Sequence, residues 1–301
     1  MSDHILTLRL QSSVYDVNGE TPQSDASGDF HEYAVPLQMS SQFGYFDNYT
    51  NEHPLLLGEY AVIEYDIPGF DAPQWNNGSG RAYFPFWYGS VAEAIYLLSA
   101  ERNADKIIGA DYAPTFMNLN KWEWIPDLIA YDANPANTIL STSHRVIELL
   151  SNTRITENLQ TTGGDYDPAY WVAGRSAVTG SHIVKAVVYN ATHPVPFDIT
   201  FDGVGHGAEA TLRWLTAPKN SSNTIGNDVV QKTTSQVSAN RWGRFSFTLP
   251  QYSVAVLEVN AATTGCDKPG NREGWLTWAD WIPGKGYSAN WNQWGAGRPF
   301  Y

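Results

Sequence analysis

Glu59 ends a run of small and apolar residues, Leu55-Leu56-Leu57-Gly58, where an ionised carboxylate is expensive to desolvate. Two arrangements account for it: the carboxylate does chemistry, or it caps its strand through a buried Arg or Lys. The segment Asp29-Phe30-His31-Glu32-Tyr33 reads as a short strand whose alternation puts His31 and Tyr33 on one face and Glu32 on the other. A Tyr hydroxyl beside a carboxylate holds it in one rotamer and keeps it ionised by hydrogen bonding, as a carboxylate nucleophile requires. A polar strand-end cluster without chemistry fits the same residues. Asp111 is a further acid at a strand end, equally explained as a cap for the loop that follows.

The elements that must position these groups are legible in the periodicity. Met39, Phe43, Phe46 and Thr50 recur at helical spacing and predict a helix over Leu37–Tyr49. Leu55–Ala61, bounded by His53-Pro54, is a continuous apolar run that suits a strand buried on both faces. A Gly/Pro/Asn-rich loop from Asp66 to Gly80 leads to a helix carrying Val91, Ala94, Ile95 and Leu98 on one stripe and stopping near Asn103. Ile107–Tyr112 is the next strand, ended by Pro114. Strands alternating with helices in this way indicate βαβ units and a parallel sheet. If that sheet belongs to a (β/α)8 barrel, a Glu at a strand's C-terminal end faces the catalytic mouth.

Further along, Ile139–Leu150 predicts one amphipathic helix. After Gly163-Gly164 the pattern turns all-β, with strands expected at Tyr170–Ser176, His182–Asn190, Pro196–Phe201, Ala210–Leu215, Arg244–Leu249 and Ser253–Val259. Short strands at this spacing, split by Gly and Pro, indicate a sandwich. The fold class is therefore α/β plus all-β: about three barrel strands followed by a jelly-roll-like β-sandwich. The expected divisions are 1–152, 153–262, and a poorly ordered, Trp-rich tail over 263–301 that contains Trp275, Trp278, Trp281, Trp291 and Trp294.

Composition narrows the partners. The 301 residues carry 18 basic and 31 acidic side chains, a net charge of −13, which argues against nucleic acid or an anionic membrane surface as partner. Aromatic residues make up 14% and suit the C–H faces of sugar rings, although a large core uses them equally well. One cysteine, Cys266, leaves no disulfide framework, and the seven histidines show no paired metal-ligand spacing. Neither a P-loop nor a Gly-x-Ser-x-Gly elbow occurs. Asn-x-Ser/Thr sequons at Asn48, Asn77, Asn190 and Asn220 favour an extracellular protein, although residues 1–30 contain no signal-peptide pattern.

The segment His53-Pro54-Leu55-Leu56-Leu57-Gly58-Glu59-Tyr60-Ala61 resembles the nucleophile segment of the α-L-arabinofuranosidases of glycoside hydrolase family 51. Further segments resemble the same family in the same order: Asp29–Tyr33, Ala92-Glu93-Ala94 with Glu101-Arg102-Asn103, and Tyr112-Ala113-Pro114 followed by Trp124–Ile129. The all-β half, closing with Pro250–Leu257, is similar to that family's C-terminal β-sandwich, and the likeness is nearer to its fungal branch.

The resemblance implies a retaining hydrolase that releases terminal α-L-arabinofuranosyl units from arabinan or arabinoxylan, plant cell-wall polysaccharides, with neither metal nor organic cofactor. By position Glu59 matches the nucleophile, while His31 and Tyr33 match residues lining the sugar subsite. Trp75, in the loop after the nucleophile strand, is expected to stack on substrate or to pack on the sandwich. The family's general acid/base follows an Asn at the end of the fourth barrel strand, and no such pair precedes Asp29 here. The chain is accordingly expected to correspond to the C-terminal part of such an enzyme, secreted but catalytically incomplete by itself. A non-catalytic carbohydrate-binding β-sandwich protein is the alternative, with a barrel glycosidase of another clan behind it.

Overall fold

The computed structural model describes residues 27–50, 54–64, 82, 84–121 and 125–260. Trp75, residues 1–26 and the tail over 263–301 lie outside the described residues. The described residues divide into two compact units, one comprising those up to Glu148 plus Ala217–Val230, the other Leu149–Thr216 with 231–260.

The first unit is built on three parallel strands, β1 (Gly28–Ala34), β2 (Leu55–Val62) and β3 (Ile107–Tyr112), paired in that order. Between β1 and β2 stands α1 (Pro36–Ser40), followed by one 3₁₀ turn over Ser41–Gly44. The single long helix expected over Leu37–Tyr49 is thus two short pieces. Its periodic residues Met39, Phe43 and Phe46 are buried all the same, because a compact turn can bury the same stripe without continuous helix. Between β2 and β3 runs α2 (Trp87–Arg102). Its Tyr96 ring lies 5.8 Å from Phe46 and 5.8 Å from Tyr60 of β2, and Tyr60 lies 5.4 Å from Tyr112 of β3. This chain of rings fastens helix to sheet, each pair contributing about 0.5–1.5 kcal/mol beyond area burial.

No side chain caps α2. The N–H groups of Trp87 and Tyr88 donate instead to the carbonyls of Ser221 (2.9 Å) and Lys219 (3.1 Å), which satisfies donors that a helix start leaves orphaned. Those carbonyls belong to Ala217–Val230, a segment that a division at residues 152/153 assigns to the sandwich but whose contacts place it in the first unit. A small sheet of β4 (Phe116–Asn118), β5 (Ile129–Tyr131) and β6 (Ile139–Leu140) completes the unit, followed by α3 (Thr142–Ser151). The helix expected over Ile139–Leu150 therefore begins three residues late: Ile139 and Leu140 pair with Ala130 and Ile129.

In the second unit, β7 (Glu157–Asn158), β8 (Ala169–Arg175), β9 (His182–Val188), β11 (Glu209–Thr216), β12 (Gln231–Ser238) and β14 (Ser253–Val259) form an antiparallel sheet ordered β12-β11-β14-β9-β8-β7. Strands β10 (Val195–Thr200) and β13 (Arg244–Leu249) pair as a second layer. One core is shared by Phe245 and Leu249 of that layer and by Val184, Ala186, Ala255 and Leu257 of the larger sheet. Strand β12 escapes the sequence reading because it is an edge strand of mostly exposed Gln, Thr and Ser, with neither an apolar face nor a breaker to announce it.

Candidate active site

The register of the parallel sheet breaks where the candidate residues sit. Phe30 pairs with Leu57 but His31 pairs with Glu59, leaving Gly58 without a partner on β1. Toward β3, Gly58 and Glu59 together stand against the single residue Asp111, between the Leu57–Ala110 and Tyr60–Tyr112 pairs. An extra residue of this kind reverses the side-chain alternation beyond it. Leu57 pairs with Phe30 and Tyr60 with Glu32, which share a face of β1, so Leu57 and Tyr60 share one as well, while Glu59, paired with His31, is turned to the opposite face. Glu59 is not at the end of its strand; β2 continues through Val62. Only the end of β2 is buried on both faces, at Tyr60, Ala61 and Val62; Leu56, Gly58 and Glu59 are half-buried.

On the face that Glu59 reaches, β1 presents Asp29, His31 and Tyr33. The Tyr33 hydroxyl donates to Glu59 Oε2 at 2.6 Å, and His31 Nδ1 lies 3.4 Å from the same oxygen. His31 Nε2 lies 3.0 Å from Asp29 Oδ2. The Glu59 side chain keeps 40% of its surface exposed, so one carboxylate is oriented by two β1 side chains yet stays open to a reactant. Glu32 points the other way, accepting from Gln42 at 2.9 Å and Gln38 at 3.4 Å. On β3, partial burial and then the nearby Asp29 charge raise the Asp111 carboxyl above its ordinary range.

Beneath the sheet lies an acid whose role the sequence reading left unassigned. Glu93 of α2 is fully buried and accepts from the Val62 N–H at 2.8 Å, holding the end of β2 to the helix. Burial pushes its carboxyl up to about 7, against the opposing pull of hydrogen bonds from Ser143 and the Val62 N–H. Burial likewise pushes Asp127 up to about 8. A lone acid within Val91-Ala92-Glu93-Ala94-Ile95 was the available signal for the first, and Asp127 offered only its place after Pro126. Among the described residues no group of three or more His, Cys, Asp or Glu is arranged to hold a metal ion, and no helix is long and apolar enough to cross a membrane.

A family model described as Alpha-L-arabinofuranosidase C-terminal domain matches residues 58–253. The chain is 33% identical over 243 residues to an Aspergillus niger protein named alpha-L-arabinofuranosidase A, covering 79% of this chain and 35% of the relative. It is 36% identical over 234 residues to a probable alpha-L-arabinofuranosidase A of Aspergillus terreus, covering 77% and 33%. The chain thus spans about a third of the length of these curated relatives. Among solved structures, an arabinose-bound MgGH51 α-L-arabinofuranosidase superposes with a TM-score of 0.70 at 24% identity, over 82% of this chain and 39% of that one. The arabinose complex of the Thermotoga maritima α-L-arabinofuranosidase gives 0.56 at 17% identity, over 77% and 52%.

Proposed function

The chain belongs to the family described as the alpha-L-arabinofuranosidase C-terminal domain, and from that premise we propose that it serves retaining hydrolysis of terminal α-L-arabinofuranosyl units in arabinan or arabinoxylan. The observation that carries the reading is the Tyr33–Glu59 hydrogen bond of 2.6 Å on a half-exposed carboxylate. In this reading β1, β2 and β3 are the last three strands of a (β/α)8 barrel, which their parallel order and the likeness to solved arabinofuranosidases support.

Glu59 Oε1 would attack the anomeric carbon, the glycosidic bond would break, and a covalent glycosyl-enzyme would form before water releases it. Tyr33 holds Oε2 throughout, which leaves the other oxygen to react, and His31 lines the sugar pocket beside it. Trp75 is the proposed stacking residue of the following loop. The reaction also needs a carboxylic acid about 5–5.5 Å from the nucleophile to protonate the leaving oxygen. None of β1, β2 and β3 carries the Asn-Glu pair at which the family resemblance puts this acid, so the acid is assigned outside these strands. The described part alone is catalytically incomplete, and losing general-acid assistance costs about 10²–10⁴ in rate. Secretion is part of the same proposal: the sequon residues Asn48, Asn190 and Asn220 are all exposed.

The test uses the 301-residue chain with an aryl α-L-arabinofuranoside whose leaving group needs no proton. A one-arabinosyl mass increase on the peptide containing Glu59, absent in Glu59→Gln, is the expected result. Labelling elsewhere, or turnover unchanged in Glu59→Gln, would sink the assignment. Arabinan binding without any labelling would point to the carbohydrate-binding reading.

A further inference from the structure

We propose that Asp29 is a positioning residue: it fixes the ring orientation and tautomer of His31, and thereby which nitrogen faces Glu59. His31 sits between two carboxylates, with Nε2 at 3.0 Å from Asp29 Oδ2 and Nδ1 at 3.4 Å from Glu59 Oε2. The nearer carboxylate is an acceptor only, so it selects the Nε2–H form, and the bond made by one imidazole nitrogen decides the state of the other. Without Asp29 a half-turn of the ring would present carbon to Glu59 in place of Nδ1.

The surroundings of Asp29 show that it is held there at a cost. Its Oδ1 is buried with no hydrogen-bond partner among the described residues, an arrangement that native structures rarely tolerate without a use. The carboxylate lies against Gly58, where a Cβ would overlap Oδ1. The bulge residue that turns Glu59 to this face is therefore also the residue whose missing side chain admits Asp29. One local irregularity provides both the carboxylate that reacts and the carboxylate that orients its histidine.

The inference rests on Glu59 as the reacting group, but its test does not depend on turnover. The ring ¹⁵N signals of His31 are identified by their loss in His31→Gln and recorded on the 301-residue chain at a pH where the ring is neutral. The wild-type chain should show the proton on Nε2; a proton on Nδ1 overturns the proposal, and this arm requires no Asp29 variant to fold. In Asp29→Asn, which keeps the shape and can offer a donor to Nε2, the proton should move wholly or partly to Nδ1, so that the two ¹⁵N signals exchange character. An unchanged tautomer in a folded Asp29→Asn chain also overturns it. If Glu59 carries no label in the arabinofuranoside experiment but His31 behaves as expected, the functional reading fails and the positioning role stands.

Discussion

The parallel sheet of the first unit and the six-stranded sheet of the second treat register in opposite ways. In the second unit, β8, β9, β14, β11 and β12 pair residue for residue along their whole recorded length without a shift. In the first unit, β1, β2 and β3 pair through three shifts within a few residues. The regular sheet keeps its alternation and sends Val184, Ala186, Ala255 and Leu257 into one shared core. The irregular one gives up alternation at Gly58–Glu59 and so carries a carboxylate on one face while burying Tyr60 on the other. Unbroken register serves packing, and breaking it brings the Glu59 carboxylate to the face of Asp29, His31 and Tyr33.

The largest expected difference between the units is in pH dependence. The folded chain holds the Glu93 proton up to about pH 7, whereas an ordinary Glu releases it near 4.5. The resulting stabilisation is complete below pH 4.5 and is lost as the pH rises through 7, a difference of about 3 kcal/mol. Asp127, raised to about 8 by burial, acts with the same sign, from below 3.8 up to that pH. His144, lowered by burial and by Arg145, opposes them within the first unit. In the second unit burial and then Arg175 lower His182, so its contribution is present above pH 6.5 and lost as the pH falls. Hydrogen exchange resolved by strand should show β1–β3 amides losing protection between pH 5 and 8 while those of β8–β14 do not. Glu93→Gln should flatten the first trend, and parallel trends in both units would break the comparison.

Next in size is the bulge itself. Gly58→Ala forces a methyl group onto the Asp29 carboxylate and should destabilise by about 1–3 kcal/mol in urea unfolding. The smallest effect, of opposite sign, is expected in the second unit. A Cβ on Gly205 meets nothing within 4 Å, so Gly205→Ala should be neutral or stabilise by about 0.4–1 kcal/mol through the unfolded chain. Equal effects of the two alanines would show that Gly58 is an ordinary loop-like glycine and not the seat of a required bulge.

Most strands were legible from sequence because burial imposed on them either a period of two or a continuous apolar run between breakers: Ile107–Tyr112, Arg244–Leu249 and Ser253–Val259 have the bounds those signals indicate. The exposed edge strand β12 had no such period to read. In the site, the placement of His31 and Tyr33 on one face followed from alternation within one strand, and Glu59 stood out as a charge at the end of an apolar run. Glu93 and Asp29 did not stand out, since their meaning lies in what they touch.

Local residue order, then, determined the elements, the polar face of β1 and the candidate carboxylate, because each rests on neighbours a few positions apart. Tertiary structure alone decided three things. It set the bulge that turns Glu59 toward Tyr33, the seating of Asp29 against Gly58, and the closing of the α2 terminus by carbonyls of Lys219 and Ser221. Each is a pairing between segments distant in sequence. A one-residue offset between strands, or a carbonyl brought to an orphan N–H, leaves no periodicity in either segment by itself.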